Sequence, residues 1–169
     1  IPGTYSFMPG LERIESICEG PPFDLTILVD CADARMTAGF VPVYKEAKRT
    51  ASLDHHICNG GNGDLSYVDT GASSAAQVVL EFIRCAGVTL TQTMATNLYV
   101  GISTDTGNFC FSNTNPRTFR DAAALAEAGA DIENAVTQLY KRRSLVKTRL
   151  IGRAIQNLEM LCGGRVALM

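Results

Sequence analysis

No stretch of this 169-residue chain is apolar for long enough to span a bilayer. Its first residues, Ile1-Pro2-Gly3-Thr4-Tyr5, hold neither an initiator methionine nor the basic and apolar regions of a signal peptide, and they read as the interior of a longer protein. Strong charge is missing too: a formal net charge of −2 gives no electrostatic case for gripping long duplex nucleic acid. No C-x-x-C pair occurs. The six cysteines, Cys18, Cys31, Cys58, Cys85, Cys110 and Cys162, are scattered singly. A disulfide framework of the kind small secreted domains use is therefore not expected, and buried free thiols in a cytoplasmic protein are the better reading. A zinc site drawn from Cys31, Cys58 and His56 would lack the tight ligand spacing of structural zinc. Repeats and low-complexity tracts are absent. What is present, 46% hydrophobic and 19% charged residues, suits one soluble globular domain with a substantial core.

Histidine is scarce as well. There are two, and they stand together behind a carboxylate as Asp54-His55-His56. Imidazole is the commonest metal ligand and the usual proton carrier near neutral pH, so the pair marks a candidate site. Two more carboxylates close probable core elements: Asp30 ends the apolar run Phe23-Asp24-Leu25-Thr26-Ile27-Leu28-Val29, and Asp105 follows a helical stretch in Gly101-Ile102-Ser103-Thr104-Asp105-Thr106-Gly107. Open α/β folds gather ligands outside the carboxyl ends of their strands. Asp30, His55 and Asp105 together offer one divalent-metal position, with imidazole tilting the choice from magnesium toward manganese, and Mg²⁺ or Co²⁺ as substitutes. Each residue also has a plain alternative. A strand-terminal Asp forms turns, Asp-Thr-Gly is common loop chemistry, and paired histidines occur on surfaces. Asp33 and Arg35 read as a weak local ion pair, Arg142-Arg143 as a solvated face, and Ser73-Ser74 as helix caps, since no third histidine is there to activate them. Only the combination outweighs these readings.

The periodicity predicts a short helix over Leu11–Cys18 broken by Gly20-Pro21-Pro22, and a strand over Asp24–Val29. A weak helix over Phe40–Ala47, a poor strand over Thr50–Leu53 and a strand over Leu65–Val68 follow. The Asn59-Gly60-Gly61-Asn62-Gly63-Asp64 cluster reads as a loop, either an active-site rim or idle surface. Helices start near Ser73-Ser74, Thr91, Asn115-Pro116 and Asp131, the last reaching about Arg142. A final helix over Leu145–Leu161 leads through Gly163-Gly164 into a strand, Arg165–Leu168. The fold class expected is α/β: a three-layer α/β/α domain with a mostly parallel sheet over residues 1–143, followed by a helical segment over 144–169.

Four segments in order resemble the DHH phosphoesterases, a family named for the tripeptide present here as Asp54-His55-His56. Val29-Asp30-Cys31-Ala32-Asp33-Ala34-Arg35 is similar to the family's second motif. Val68-Asp69-Thr70-Gly71-Ala72-Ser73-Ser74-Ala75-Ala76 is similar to the segment after the tripeptide, and Gly101 to Phe109 to the fourth motif, followed by Phe111-Ser112-Asn113-Thr114. The likeness is closest to RecJ-like, NrnA-type members, which cleave very short oligoribonucleotides and dephosphorylate 3′-phosphoadenosine 5′-phosphate. It implies that Asp30 bridges two Mn²⁺ ions, that His55 and Asp105 complete the second, that His56 contacts the scissile phosphate or protonates the leaving oxygen, and that Asp54 orients the histidines.

The family's first motif and its Gly-Gly-Gly-His signature have no counterpart in the sequence, so the expectation is an inner part of a catalytic domain, weak or inactive alone. The function expected of the parent is hydroxide attack on phosphorus in short oligoribonucleotides or adenosine bisphosphate. The alternatives are a cyclic-dinucleotide phosphodiesterase, a manganese pyrophosphatase, or a non-enzymatic degenerate nucleotide-binding module. Expected partners are short RNA or a small nucleotide, with no membrane. A homodimer and a cytoplasmic location are carried as open expectations.

Overall fold

A computed structural model describes residues 2–15, 22–58, 61 and 63–168. Its organising feature is a parallel sheet of β1 (Thr26–Val29), β2 (Thr50–Asp54) and β3 (Leu65–Val68), with β2 in the centre. Val29 lies opposite Leu53, and Asp54 opposite Val68, so the strands finish nearly level. Each delivers an aspartate there: Asp30, Asp54 and Asp69. Asp30 N–H donates to Leu53 O and Asp69 N–H to Asp54 O, both at 3.0 Å, carrying the ladder just past the strands.

The strand with the weakest apolar signal is the most enclosed. Ser52, Leu53 and Asp54 are buried because β2 is flanked on both edges, and the Ser52 hydroxyl meets that of Ser66 at 2.8 Å. β1 is apolar in sequence, yet only Leu28 is buried, with Val29 46% exposed. A run of 3₁₀ turns over Ala34–Phe40 and helix α1 (Val41–Glu46) connect these two strands.

Helix starts follow the capping residues. α2 (Ala75–Cys85) is capped by Ser74, which accepts from Gln77 N–H, and α3 (Gln92–Asp105) by Thr91, which accepts from Met94 N–H. α4 (Pro116–Glu127) opens on a reciprocal Asn115–Thr118 capping box, and α5 (Ile132–Val136) on Asp131. Leu53 packs with Ala72 and Val78, seating α2 on β2. The larger core joins Leu80 of α2 to Ala95, Leu98, Tyr99, Val100 and Ile102 of α3, Leu125 of α4 and Ala135 of α5. α2 and α3 approach closely at Gly101, where a Cβ would come within 2.7 Å of the Ala76 methyl. That approach fixes the height at which α3 ends, and hence the position of Asp105.

Four sequence expectations are corrected. The helix expected over Leu11–Cys18 is one 3₁₀ turn, Leu11–Arg13, with Ile14 extended; Cys18 and Gly20-Pro21 lie outside the described residues, as do Asn59, Gly60 and Asn62 of the expected loop. The helix expected from Asp131 to Arg142 changes to a π-turn over Thr137–Lys141. The last helix, α6 (Leu145–Gln156), stops before Leu161. Glu159–Leu161 instead forms β4, paired antiparallel with β5 (Val166–Leu168). Cys162, Gly163 and Gly164 all take positive φ there, and two adjacent glycines make such a reversal cheap, so a short hairpin wins over continued helix. Finally, Cys31 is buried but Cys58, Cys85, Cys110 and Cys162 are exposed. Their neighbours in sequence are apolar or loop-like, and neither context encloses them.

Candidate metal centre

The C-terminal ends of β1 and β2 and of α3 bring Asp30, His55 and Asp105 to one place. His55 Nε2 lies 3.5 Å from Asp30 Oδ1 and 3.9 Å from Asp105 Oδ2. Asp30 leaves β1 with φ of 58°, a left-handed conformation that non-glycine residues seldom adopt. It turns the chain away from the strand direction just where the carboxylate is presented, half exposed. Among the described residues, Asp30, Asp54, His55 and His56 form a group able to offer a cation ligand atoms lying within 4.8 Å of one another. No cysteine belongs to it, so the zinc arrangement considered from sequence does not form.

The tripeptide divides its labour. Asp54 is fully buried, and its Oδ1 accepts from His55 N–H (2.6 Å), His56 N–H (3.1 Å) and His56 Nδ1–H (2.8 Å). That oxygen is committed to holding the histidines. His55 turns the other way. Its Nδ1 stands 3.3 Å from the Ala72 carbonyl, which can only accept, so that contact favours a proton on Nδ1; with a cation between them, Nε2 would face Asp30 and Asp105 as a ligand. The two rings lie 4.4 Å apart, tilted by 53°.

The electrostatics are those of a site short of positive charge. Burial pushes the Asp105 carboxyl above the ordinary carboxylate range, and Asp30 adds to the effect against the opposing pull of His55 and His56. Asp105 also closes α3, where the helix presents its negative end. The Asp54 hydrogen bond raises the His56 imidazole above its usual value, outweighing burial. Ligand atoms each about 2.1 Å from a shared ion lie about 3.0–3.5 Å apart. The 3.5 Å from His55 Nε2 to Asp30 matches that range and the 3.9 Å to Asp105 is a little longer. Asp105 stands beside, not within, the close group of Asp30, Asp54, His55 and His56; imidazole and carboxylate are the donor types a divalent cation takes.

Around this centre are residues that sequence reasoning did not single out. Asn113 Nδ2 donates to both Ser73 O and Asp105 O at 3.0 Å, tying the end of α3 to the start of α2. Arg117 bonds Asp69 and holds its carboxyl below the ordinary range. Tyr140, in the π-turn, donates to Ser103 O at 2.9 Å, two residues before Asp105. Gln77 and Asp121 are buried and joined at 2.6 Å. Only Asn113 and Asp69 lay inside segments quoted as motifs. Ser74 acts as the expected cap, whereas the Ser73 hydroxyl donates to the Gln77 side chain instead of capping, and Asp33–Arg35 is an exposed pair. Arg142 and Arg143 line a hollow with Lys141 and Lys147, a local basic patch rather than an isolated solvated face.

Residues 2–102 match the family model described as the DHH family, N-terminal domain. The chain belongs to the DHH family. It is 33% identical over 164 residues to the bifunctional oligoribonuclease and PAP phosphatase NrnA of Thermus thermophilus, covering 96% of this chain and 49% of that protein. It is 27% identical over 160 residues to the protein of the same name from Bacillus subtilis, covering 93% and 50%. The chain spans about half the length of the curated relatives it matches. The crystal structure of an exopolyphosphatase-related protein from Bacteroides fragilis superposes with a TM-score of 0.83 at 20% identity, covering 94% of this chain and 50% of that one, which supports the α/β fold.

Proposed function

We propose that the protein of which this chain is the DHH part is a metal-dependent phosphoesterase acting on short oligoribonucleotides, on 3′-phosphoadenosine 5′-phosphate, or on both. The observation that carries the reading is the convergence of Asp30, His55 and Asp105 at the ends of two parallel strands and a helix. In it, those three side chains hold a divalent ion, manganese by preference because a nitrogen ligand is included. Bound there, such an ion acidifies water and offsets charge on phosphoryl oxygens.

The chain's own residues supply the rest. Asp54 fixes His56 through Nδ1, which leaves His56 Nε2 as the atom that donates to a phosphate oxygen or to the departing alkoxide. The upward shift of that imidazole keeps a proton on hand for the donation. His55 is held by the Ala72 carbonyl with Nε2 unprotonated, as a ligand requires. The family resemblance implies a second ion bridged by Asp30; among the described residues no second group of ligands accompanies it.

The substrate class draws support from the names of the Thermus and Bacillus relatives and from charge. A formal net charge of −2 with one local basic hollow suits a short anion better than a long strand tracked along a groove. The test is turnover by the full-length parent, stripped of metal and reloaded with Mn²⁺, on dinucleotides, adenosine bisphosphate, long single strands, a cyclic dinucleotide and pyrophosphate. Metal-dependent preference for the first two is expected. Metal-independent turnover, or preference for any of the others, would replace this reading.

A further inference from the structure

One peptide group lies between the candidate metal ligand His55 and the buried amide of Gln77. The Ala72 carbonyl accepts from His55 Nδ1 at 3.3 Å. The N–H of the same peptide, belonging to Ser73, donates to Gln77 Oε1 at 2.6 Å, and the Ser73 hydroxyl donates to the same oxygen at 2.6 Å. A trans peptide is planar, with its N–H and C=O pointing in opposite directions, so fixing one end fixes the other. The direction of the carbonyl that meets His55 is therefore set from the side of Gln77.

Gln77 is itself held in one orientation. Its Nε2 donates to Asp121 Oδ2 at 2.6 Å, and a carboxylate only accepts. The alternative amide flip would turn Oε1 toward the Asp121 carboxylate and Nε2 toward the Ser73 N–H, leaving both contacts unmatched; only the Ser73 hydroxyl, which can also accept, could adapt. Asp121 is fixed in turn by Arg84, which donates to Oδ1 at 2.7 Å. Gln77 is fully buried and Asp121 only 3% exposed, so no water competes for these bonds at Gln77.

We propose that Gln77, oriented by Asp121, is a positioning residue for His55: through the Ala72–Ser73 peptide it selects the Nδ1–H form of the ring and so leaves Nε2 free to bind a cation. The cation itself rests on the function proposed above, but the choice of tautomer does not. Nothing in the motif residues carries this role, since Gln77 touches neither substrate nor ligand atoms and works across two hydrogen bonds.

The chain has two histidines, so nitrogen-resolved NMR of the imidazole rings is easily read. In metal-free protein at alkaline pH, where imidazole is neutral, His55 should carry its proton on Nδ1. Gln77→Met should leave a mixture of tautomers and weaken Mn²⁺ binding, measured by equilibrium dialysis, about tenfold. Gln77→Glu combined with Asp121→Asn keeps an acceptor for Ser73 and puts an amide donor opposite it, and should retain both the tautomer and the affinity. Asp121→Asn, whose amide can donate as well as accept, frees the Gln77 flip and should give the Gln77→Met result to a smaller degree.

A wild-type His55 protonated on Nε2 would overturn the proposal, even should Gln77→Met fail to fold. So would a folded Gln77→Met with unchanged tautomer and affinity, or a Gln77→Glu/Asp121→Asn double variant that behaves like Gln77→Met. Wild-type protein with the expected tautomer but no Mn²⁺ binding would instead count against the metal reading alone.

Discussion

β1 and β2 each run into an aspartate at the same level of one sheet, Asp30 just past β1 and Asp54 closing β2, and the two face opposite circumstances. Asp54 is fully buried and accepts three hydrogen bonds on one oxygen, all from the two residues that follow it. Asp30 is half exposed, sits in a left-handed backbone conformation, and has an imidazole nitrogen 3.5 Å away without a hydrogen bond to it. The difference follows from strand order. The central strand encloses its terminal side chain between neighbours, whereas the edge strand leaves its own free to point into the cleft. A carboxylate with its lone pairs satisfied serves as a brace, and one with unsatisfied lone pairs can bind.

Substitutions should separate the two roles. Asp54→Ala carries the largest expected effect: it leaves two backbone N–H groups and a ring nitrogen without their acceptor, costing about 2–4 kcal/mol of stability, and it frees His56, so thermal melting and turnover should both fall. Asp30→Asn should lower turnover of the full-length parent by about a hundred- to a thousandfold through lost charge at the site while leaving the melting temperature near that of wild type. Asp30→Gly goes further in separating the two, since glycine adopts φ of 58° freely; a stability gain of about 1 kcal/mol alongside lost metal binding is expected. Equal destabilisation by the Asp30 and Asp54 substitutions would erase the distinction.

The third strand-end aspartate sharpens it. Asp69 is bonded by Arg117, chiefly a hydrogen-bond effect, and its folded pKa is lowered. A lowered folded value means that the pair stabilises the protein above the ordinary carboxylate pKa of about 3.9, and that this contribution is lost as pH falls through the folded value. The stability of wild type relative to Arg117→Met should thus be constant from neutral pH down to about pH 4 and shrink below it, as urea denaturation at stepped pH would record. The smallest effect belongs to Asp33→Asn. Its partner Arg35 holds the Asp33 carboxyl down at about 2, yet both groups are solvated, and no measurable change in melting temperature is expected.

The features legible in the sequence were those written in short range. Caps at Ser74, Thr91, Asn115 and Asp131 lie within three residues of the amides they serve, and each starts its helix where expected. Asp30, Asp54-His55-His56 and Asp105 were legible as polar residues closing apolar elements, and their side chains lie near one another, with Asp105 at the margin of the group. What was not legible depends on contacts distant in sequence. Gln77 reaches Asp121 across 44 residues and Asn113 reaches Ser73 across 40, so neither partner marks the other locally. The exposure of four thiols was missed because apolar neighbours in sequence do not ensure enclosure in space. β4 was missed because Leu158, Met160 and Leu161 continue the apolar spacing of α6, and only the reversal at Gly163-Gly164 separates hairpin from helix.

The central claim is that Asp30, His55 and Asp105 bind one divalent cation between them. Crystals grown with Mn²⁺ and measured at the manganese absorption edge test it most directly. The account predicts an anomalous peak in contact with His55 Nε2 and with a carboxylate oxygen of both Asp30 and Asp105, and absent from Asp30→Asn crystals. A peak bound elsewhere, with these three side chains still converged and free of metal, would contradict it.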